Sequence, residues 1–489
     1  MNKPNAQNGY LHYPFILLSV LLFIYVFLRA NYLSFTHDEC LSYLIVKGTL
    51  LPDTPNNHVL NNFLMSISYK FFGSKEIFLR FPNVLSFLVY LFFCYLILRR
   101  ANNLYLIFFG AALLFLNPFL IEFFSLSRGY GLSMACTTAC VYFFIRNNIK
   151  DYSYKTFFTD FILSATFGNL SVLANLAAIN IYIALLSIFA IQYLLLTKYY
   201  LRINFKKHIF IIVSFIIACI PIILCIKRLL FIYQIVIKDI LHNQGHTSLL
   251  DLLQSLINSS FYFFEYPFWV GITIKYIIII SFGIGFASVI FKNYFFTPSF
   301  KILTLISFVL IGFALENYLF SSKYPPERTC TIIIVLIAIY IYQLSVDLYI
   351  RFRPKIQIAF LFFLFSVGVT PITINFLSNL NLKYTLTWWY DAHTKEVMEN
   401  IVKLNMQNPN TQKKFTIGNN WVFQPAINYY IEIKKIHNME HATRNKLNLN
   451  ADYIYEFRSN NFNTDNFEKV VEFKEIDAIL YKNKSLTAN

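Results

Sequence analysis

The stretch FTHDECLSYLIVKGTLLPDTPNNHVLNNFLMSISYKFFG (Phe35–Gly73) follows directly on a hydrophobic run and carries the chain's first cluster of acids. His37, Asp38 and Glu39 stand together, and a second polar knot, Asn56-Asn57-His58, comes some twenty residues later. Charged groups this close to a membrane span are costly to desolvate and need a partner or a task. Thr36 with Glu39 three residues on reads as a capping box, and Gly48 as the stop of a short helix with Leu41, Leu44 and Ile45 on one face. A second helix is predicted to start after Asn57, to carry Val59, Leu60, Phe63, Leu64, Ile67 and Phe71 at helical spacing, and to stop at Gly73. Both suit helices lying in a membrane surface.

The rest of the chain supplies the membrane. Of 489 residues, 57% are hydrophobic and 13% charged, about half the charged fraction of a soluble protein. Roughly twenty apolar residues span a bilayer as a helix. Segments meeting that criterion fall near 13–30, 79–98, 104–121, 129–145, 156–173, 175–196, 209–226, 270–291, 302–319, 329–346 and 356–376. Gly168, Asn169 and Asn175 blur the junction of the fifth and sixth.

Charge sets the expected orientation. Arg99-Arg100, Arg146 with Lys150 and Lys155, Lys198 with Arg202, Lys206 and Lys207, Lys292 with Lys301, and Arg351 with Arg353 and Lys355 all follow even-numbered spans, with only Asp151 and Asp347 against them. That is the positive-inside pattern. It predicts a multi-pass membrane protein with the N-terminus inside and the tail 379–489 outside. Of the formal net charge of +16, all but +2 belongs to the membrane part, since the tail carries fourteen Lys and Arg against twelve Asp and Glu. Nucleic acid is therefore not an expected partner.

The expected division is a transmembrane domain, 1–378, with the outer loop 31–78, and a small outer α/β domain, 379–489. In the tail, KEVMENIVKLN and PAINYYIEIKK read as helices, and KKFTIGNNW, DYIYEF, EKVVEFKE and DAILYK as strand-forming, with Trp388-Trp389-Tyr390 at the membrane interface. Seven cysteines show neither a disulfide framework nor CxxC spacing. There is no P-loop, GxGxxG or serine-hydrolase elbow.

Three outer loops each bring an acid and a cation to the same face. Asp38 can act as a general base on an acceptor hydroxyl; equally, Asp38 and Glu39 complement the positive end of a helix. His58 with Asn57 can bind phosphate or sugar, or open the second helix. Asp38, Glu39 and His58 are weak candidates for a divalent metal, at no recognised ligand spacing. Glu122 precedes SLSRGYG, where Arg128 offers a planar fork to phosphate and Gly129 and Gly131 allow close backbone approach. KYPPERT places Lys323, Glu327 and Arg328 at another outer span entrance.

The order of these features is familiar: an Asp-Glu pair after the first span, a His-containing knot, then FFGSKEIFLRFPNVLSFL, then Asn117-Pro118 leading to Glu122 and SLSRGYGLS. It resembles the GT-C membrane glycosyltransferases of the protein O-mannosyltransferase and lipid A aminoarabinose-transferase superfamily, nearest the bacterial group that adds sugars to lipopolysaccharide cores. The motif resemblance covers roughly residues 13–150, and KEIFLRFPNVL (75–85) is its most specific part. The resemblance implies an inverting transfer from a polyprenyl-phosphate sugar to an envelope glycolipid, polysaccharide or protein, with no cofactor required beyond a possible divalent metal. It puts the family's first-loop acid at Asp38, with Glu39 next to it, and matches Arg128 and Arg328. Together with the residues around them, the expected site has catalytic acids at Asp38 and Glu39, donor-phosphate contacts at His58, Arg128, Arg328 and Lys323, and substrate contacts at His37, Asn57, Glu122 and Tyr130. Where the family often has His- or Lys-Pro-Pro, this chain has His58-Val59-Leu60. A lipid flippase or transporter would instead need buried mid-span polar groups and inverted repeats; Asn169, Asn175 and Asn180 are the hints, and no repeat is visible. An O-antigen-type polymerase or ligase would place its reactive residues in a late outer loop, and a catalytically dead scaffold would use the outer domain only to bind a partner.

Overall fold

Apolar runs of span length become helices because only a helix satisfies its own backbone in lipid. The computed structural model describes residues 12–51, 57–101, 103–146, 153–199, 205–236, 245–288, 297–406, 414–444, 447–460 and 462–486. Asn56, Lys150, Asp151, Arg202 and Lys292 lie outside them. The helices are α1 (His12–Tyr32), α2 (His37–Val46), α3 (Val59–Phe72), α4 (Glu76–Leu98), α5 (Leu104–Phe115), α6 (Pro118–Glu122), α7 (Gly129–Ile145), α8 (Tyr154–Ala174), α9 (Ile179–Tyr199), α10 (Phe205–Val236), α11 (Leu249–Phe261), α12 (Phe268–Ala287), α13 (Pro298–Phe320), α14 (Thr331–Arg351), α15 (Pro354–Phe363), α16 (Thr370–Ser378), α17 (Thr394–Met406) and α18 (Gln424–Ile433). A π-helical turn, Leu364–Val369, joins α15 to α16.

Among the described residues nine helical segments are long and apolar enough to cross a membrane, and the shorter α5 and α7 fall where the third and fourth spans are predicted. The run predicted as one span at 104–121 is broken. Asn117 accepts hydrogen bonds from the Phe119 and Leu120 amides and Pro118 has no amide to continue α5, so α6 starts afresh. At the junction of the fifth and sixth spans, α8 runs through Gly168, against which Tyr182 packs, and ends at Asn175, which caps the following 3-10 turn.

The loop Phe35–Gly73 folds as predicted at both helices. Thr36 and Glu39 form the capping box of α2; Gly48 (φ 77°) follows α2 and Gly73 (φ 91°) ends α3. The α3 helix is turned inside out: Asn61, Asn62 and Ser68 are buried, while Phe63 and Phe71 are exposed. That arrangement suits an apolar surrounding.

The segment KEIFLRFPNVL organises this region through its proline. Pro82, inside α4, has no amide for the Phe78 carbonyl one turn back. That carbonyl accepts from the Ser68 hydroxyl of α3 instead, and the next one, Leu79 O, accepts from Ser127 Oγ at 2.8 Å. Asn83 Nδ2 donates to Asn61 Oδ1 (2.7 Å), and Asn61 Nδ2 to Ser127 O (3.1 Å). One helical turn thus ties α3 to the turn before α7.

The tail forms a four-stranded sheet of β1 (Ile417–Asn419), β2 (Tyr453–Phe457), β3 (Phe467–Phe473) and β4 (Ala478–Asn483), in the order β1-β2-β4-β3. The β1–β2 pair is parallel and the others antiparallel. Its apolar core draws on both sides of residue 379: Phe35, Cys40, Tyr43, Met65 and Leu79 pack with Val397, Met398, Phe423, Ile427, Tyr429 and Tyr430. Tyr430 Oη accepts from Phe35 N at 2.7 Å, and Tyr43 Oη donates to Glu432 at 2.7 Å. Trp388, expected at the membrane interface, is instead buried against the helical core.

Candidate functional site

The two neighbouring acids of α2 have different surroundings. Glu39 is fully buried, and each of its oxygens accepts two hydrogen bonds. Oε1 takes Arg80 Nε (2.8 Å) and Ser127 N (2.5 Å); Oε2 takes Arg80 Nη2 (2.7 Å) and Thr36 N (3.0 Å). Arg80 spends its remaining donors on the carbonyls of Ala30, Leu33 and Ser34. Four acceptor sites and five donors are filled, which leaves neither group capacity for a ligand. This corrects the expectation of Glu39 as a catalytic acid. It also corrects the metal set of Asp38, Glu39 and His58: Glu39 is committed to Arg80, and among the described residues no three His, Cys, Asp or Glu converge as metal ligands.

Asp38 faces the other way. Its Oδ2 lies 3.5 Å from Arg128 Nη2, an ion pair too long for a hydrogen bond. Arg128 is fully buried at the N-terminus of α7. Its Nη1 donates to Asp38 O (3.0 Å) and Ser42 Oγ (2.9 Å), while among the described residues its Nε and Nη2 find no hydrogen-bond acceptor and Asp38 Oδ2 no donor. Close packing makes this approach possible. A Cβ on Gly129 would sit 1.9 Å from Ala174 O, and one on Gly131 2.7 Å from Phe123 O. His58 Nδ1 donates to the same Ala174 carbonyl (2.7 Å), and its ring meets Tyr130 edge-on at 4.8 Å. The Tyr130 ring in turn lies 6.0 Å from the Arg128 guanidinium. Asn57 Oδ1 accepts from Asn62 and so braces the start of α3.

Arg328 comes from the far end of the chain to the same point, within electrostatic reach of Asp38, Tyr130 and Tyr390. Half-buried, it rests over the Trp388 ring at 5.8 Å, and among the described residues its guanidinium makes no hydrogen bond or ion pair. Its neighbour Glu327 is held by His246 (3.0 Å) and Ser255. Arg328 and Glu327 line a cavity of about 570 Å³ with Asn258, Ser259, Tyr262 and Thr387. Lys323 is exposed and is not among the residues lining it.

Two predicted substrate contacts are engaged elsewhere. Glu122 is buried in a separate knot, where its Oε2 accepts from Tyr262 Oη and Leu386 N (2.8 Å) and lies 3.6 Å from Arg29. Burial pushes its carboxyl up to about 6, against the opposing pull of Arg29. The His37 ring turns to the tail: Nδ1 donates to Val422 O (2.7 Å), and Nε2 is 3.3 Å from Arg444. Burial lowers its pKa, so it stays neutral and accepts from Arg444. Of the mid-span asparagines, Asn175 caps a turn and donates to Thr329 O (2.8 Å), and Asn180 donates to Glu316 (3.2 Å).

Sequence reasoning missed Arg80, Tyr390 and Asp391. Arg80 lies in the most specific motif, but its partner is 41 residues away. The arrangement that results is a carboxylate that can take a proton, with one guanidinium at 3.5 Å and a second within electrostatic reach, the second also lining a cavity.

No protein-family model and no curated protein matches this sequence. Among solved structures the fold is similar to ArnT from Cupriavidus metallidurans in the apo state, with a TM-score of 0.53 and 9% identity over 99% of this chain and 100% of that one. It is also similar to ArnT bound to undecaprenyl phosphate, with a TM-score of 0.51 and 9% identity over 97% and 98%. At this identity the likeness establishes the fold alone: many helices of membrane-crossing length with a small C-terminal sheet.

Proposed function

We propose that this protein is an inverting glycosyltransferase that moves a sugar from a polyprenyl-phosphate donor to an envelope glycolipid, polysaccharide or protein at the outer face of the bacterial cytoplasmic membrane. The observation that carries the reading is the meeting of Asp38, Arg128 and Arg328, three groups from different outer loops with unused hydrogen-bonding capacity toward one another. The GT-C fold supports it, and one similar structure holds undecaprenyl phosphate.

In this mechanism Asp38 accepts the proton of the acceptor hydroxyl as that oxygen attacks the anomeric carbon. The bond from the anomeric carbon to the phosphate oxygen breaks, and its electron pair leaves with the polyprenyl phosphate. A single displacement inverts the anomeric centre. Arg128 and Arg328 supply donors where negative charge gathers on the leaving phosphate, in a site with little water to screen them. Tyr130 and His58 shape the wall beside them. Lys323 has no part in this site.

The test is complementation of a deletion strain, read by mass spectrometry of its envelope saccharides. The wild-type gene restores one missing sugar, whereas D38N and R328Q, present in the membrane at normal amounts, do not. Restoration by D38N at the wild-type level would overturn the assignment.

A further inference from the structure

Asp391, at the junction of the last membrane helix and the outer domain, is buried and takes no part in the chemistry above. Its Oδ2 accepts from His37 N at 2.6 Å, the first amide of α2. Its Oδ1 is buried and among the described residues meets no donor or acceptor. The groups facing it are acids or neutral: Asp38, Glu39 and Cys40 from α2, Tyr390 beside it, and Tyr455 from β2. Among the described residues no cation pairs with it. Glu39 has Arg80 and Asp38 has Arg128; the third carboxyl at this helix start has none.

We propose that Asp391 is the positioning residue for Asp38: by holding the first amide of α2 it sets the direction in which the Asp38 carboxylate faces Arg128 and the acceptor. The proposal rests on the transferase reading above and goes beyond it by making the outer domain part of the catalytic geometry. Neighbouring contacts act in the same sense, since Ser34 Oγ donates to Ala392 O (2.9 Å) and accepts from Lys395 N (3.2 Å).

A buried carboxyl with no cation, beside two carboxylates, is stable only when protonated. Burial first, then the Asp38 and Glu39 charges, push its pKa well above the usual carboxylate range. The proton belongs on Oδ1, because Oδ2 accepts the amide. A neutral Asp391 holds α2 without adding a third negative charge beside Asp38. Raising the pH through its pKa would ionise it, repel Asp38 and disturb the geometry.

Asn is the mimic of this neutral acid: Oδ1 of the amide accepts from His37 N and its NH2 stands where the acid O–H stood. In washed membranes supplying the native donor and acceptor, D391N is expected to keep transfer within a few-fold of wild type. The alkaline fall in rate expected of wild type should be absent from it. D391A is expected to lose about 10²-fold, the scale of a small displacement of a catalytic group. Infrared difference spectra of the purified full-length proteins give a readout without substrate: wild type minus D391N should show the C=O band of a protonated carboxylic acid at neutral pH. Equal losses in D391N and D391A, or no such band, would overturn the proposal. Failure of the transferase reading is separable, because it shows as D38N matching wild type while the infrared band is unaffected.

Discussion

Asp38 and Glu39 are adjacent on one turn of one helix, and each faces an arginine. The Glu39–Arg80 pair is closed: four hydrogen bonds on the carboxylate, no exposure, and every guanidinium donor used. The Asp38–Arg128 pair is open, with oxygen and nitrogen 3.5 Å apart and three polar atoms unsatisfied. The comparison separates two uses of a buried ion pair. A pair saturated by the protein fixes geometry, whereas one left incomplete keeps capacity for a substrate. On the proposed function, the closed pair is what holds the open one in place.

The comparison can be broken first at the closed pair. R80A leaves Glu39 buried and uncompensated, at a cost of about 3–5 kcal/mol. Folded protein should fall sharply in size-exclusion yield; a normal yield and thermal midpoint would show that the pair is not structural. At the open pair, R328Q removes charge-assisted contacts with phosphate worth about 1.5–3 kcal/mol. Binding of undecaprenyl phosphate to the purified protein should weaken by about 10-fold or more, with the thermal midpoint unmoved. Unchanged binding would remove Arg328 from the site.

Smaller effects sharpen the contrast. The Asp391 carboxyl is raised in the folded state, so folding must keep it protonated as pH rises above about 3.9, its unfolded value. That cost grows with pH until the folded pKa is reached. D391N is spared it, so its thermal midpoint relative to wild type should climb from pH 5 to pH 8; a constant difference would mean Asp391 does not titrate as argued. K323A lies outside both pairs and should change stability and transfer by less than about 0.5 kcal/mol. A large loss of transfer would return Lys323 to the site.

What could be read in the sequence was local. Most span-length apolar runs, the Thr36–Glu39 cap, the stops at Gly48 and Gly73, and the helices and strands of the tail rest on signals within a few residues, and the structure has them. The capping box also showed why Asp38 and Glu39 share a turn. It could not show which of them is saturated, because that depends on Arg80, Ser127 and the turn before α7. The same limit explains Glu122, whose partners Arg29, Tyr262 and the Leu386 amide come from three distant segments. It explains Asp391 too, whose amide partner is 354 residues away. Trp388 was read as interfacial from its neighbours, yet it is buried beneath Arg328.

The most direct test compares D38N and E39Q for transfer per folded molecule, in membranes supplying the native donor and acceptor, with folded protein quantified in the same samples. The account predicts that D38N accumulates as folded protein but loses about 10²–10⁴-fold in transfer, the usual weight of a general base. E39Q should lose folded protein while each surviving molecule keeps most of its transfer. The converse, an active D38N and a stable but inactive E39Q, would contradict the assignment of the open pair to chemistry and the closed pair to structure.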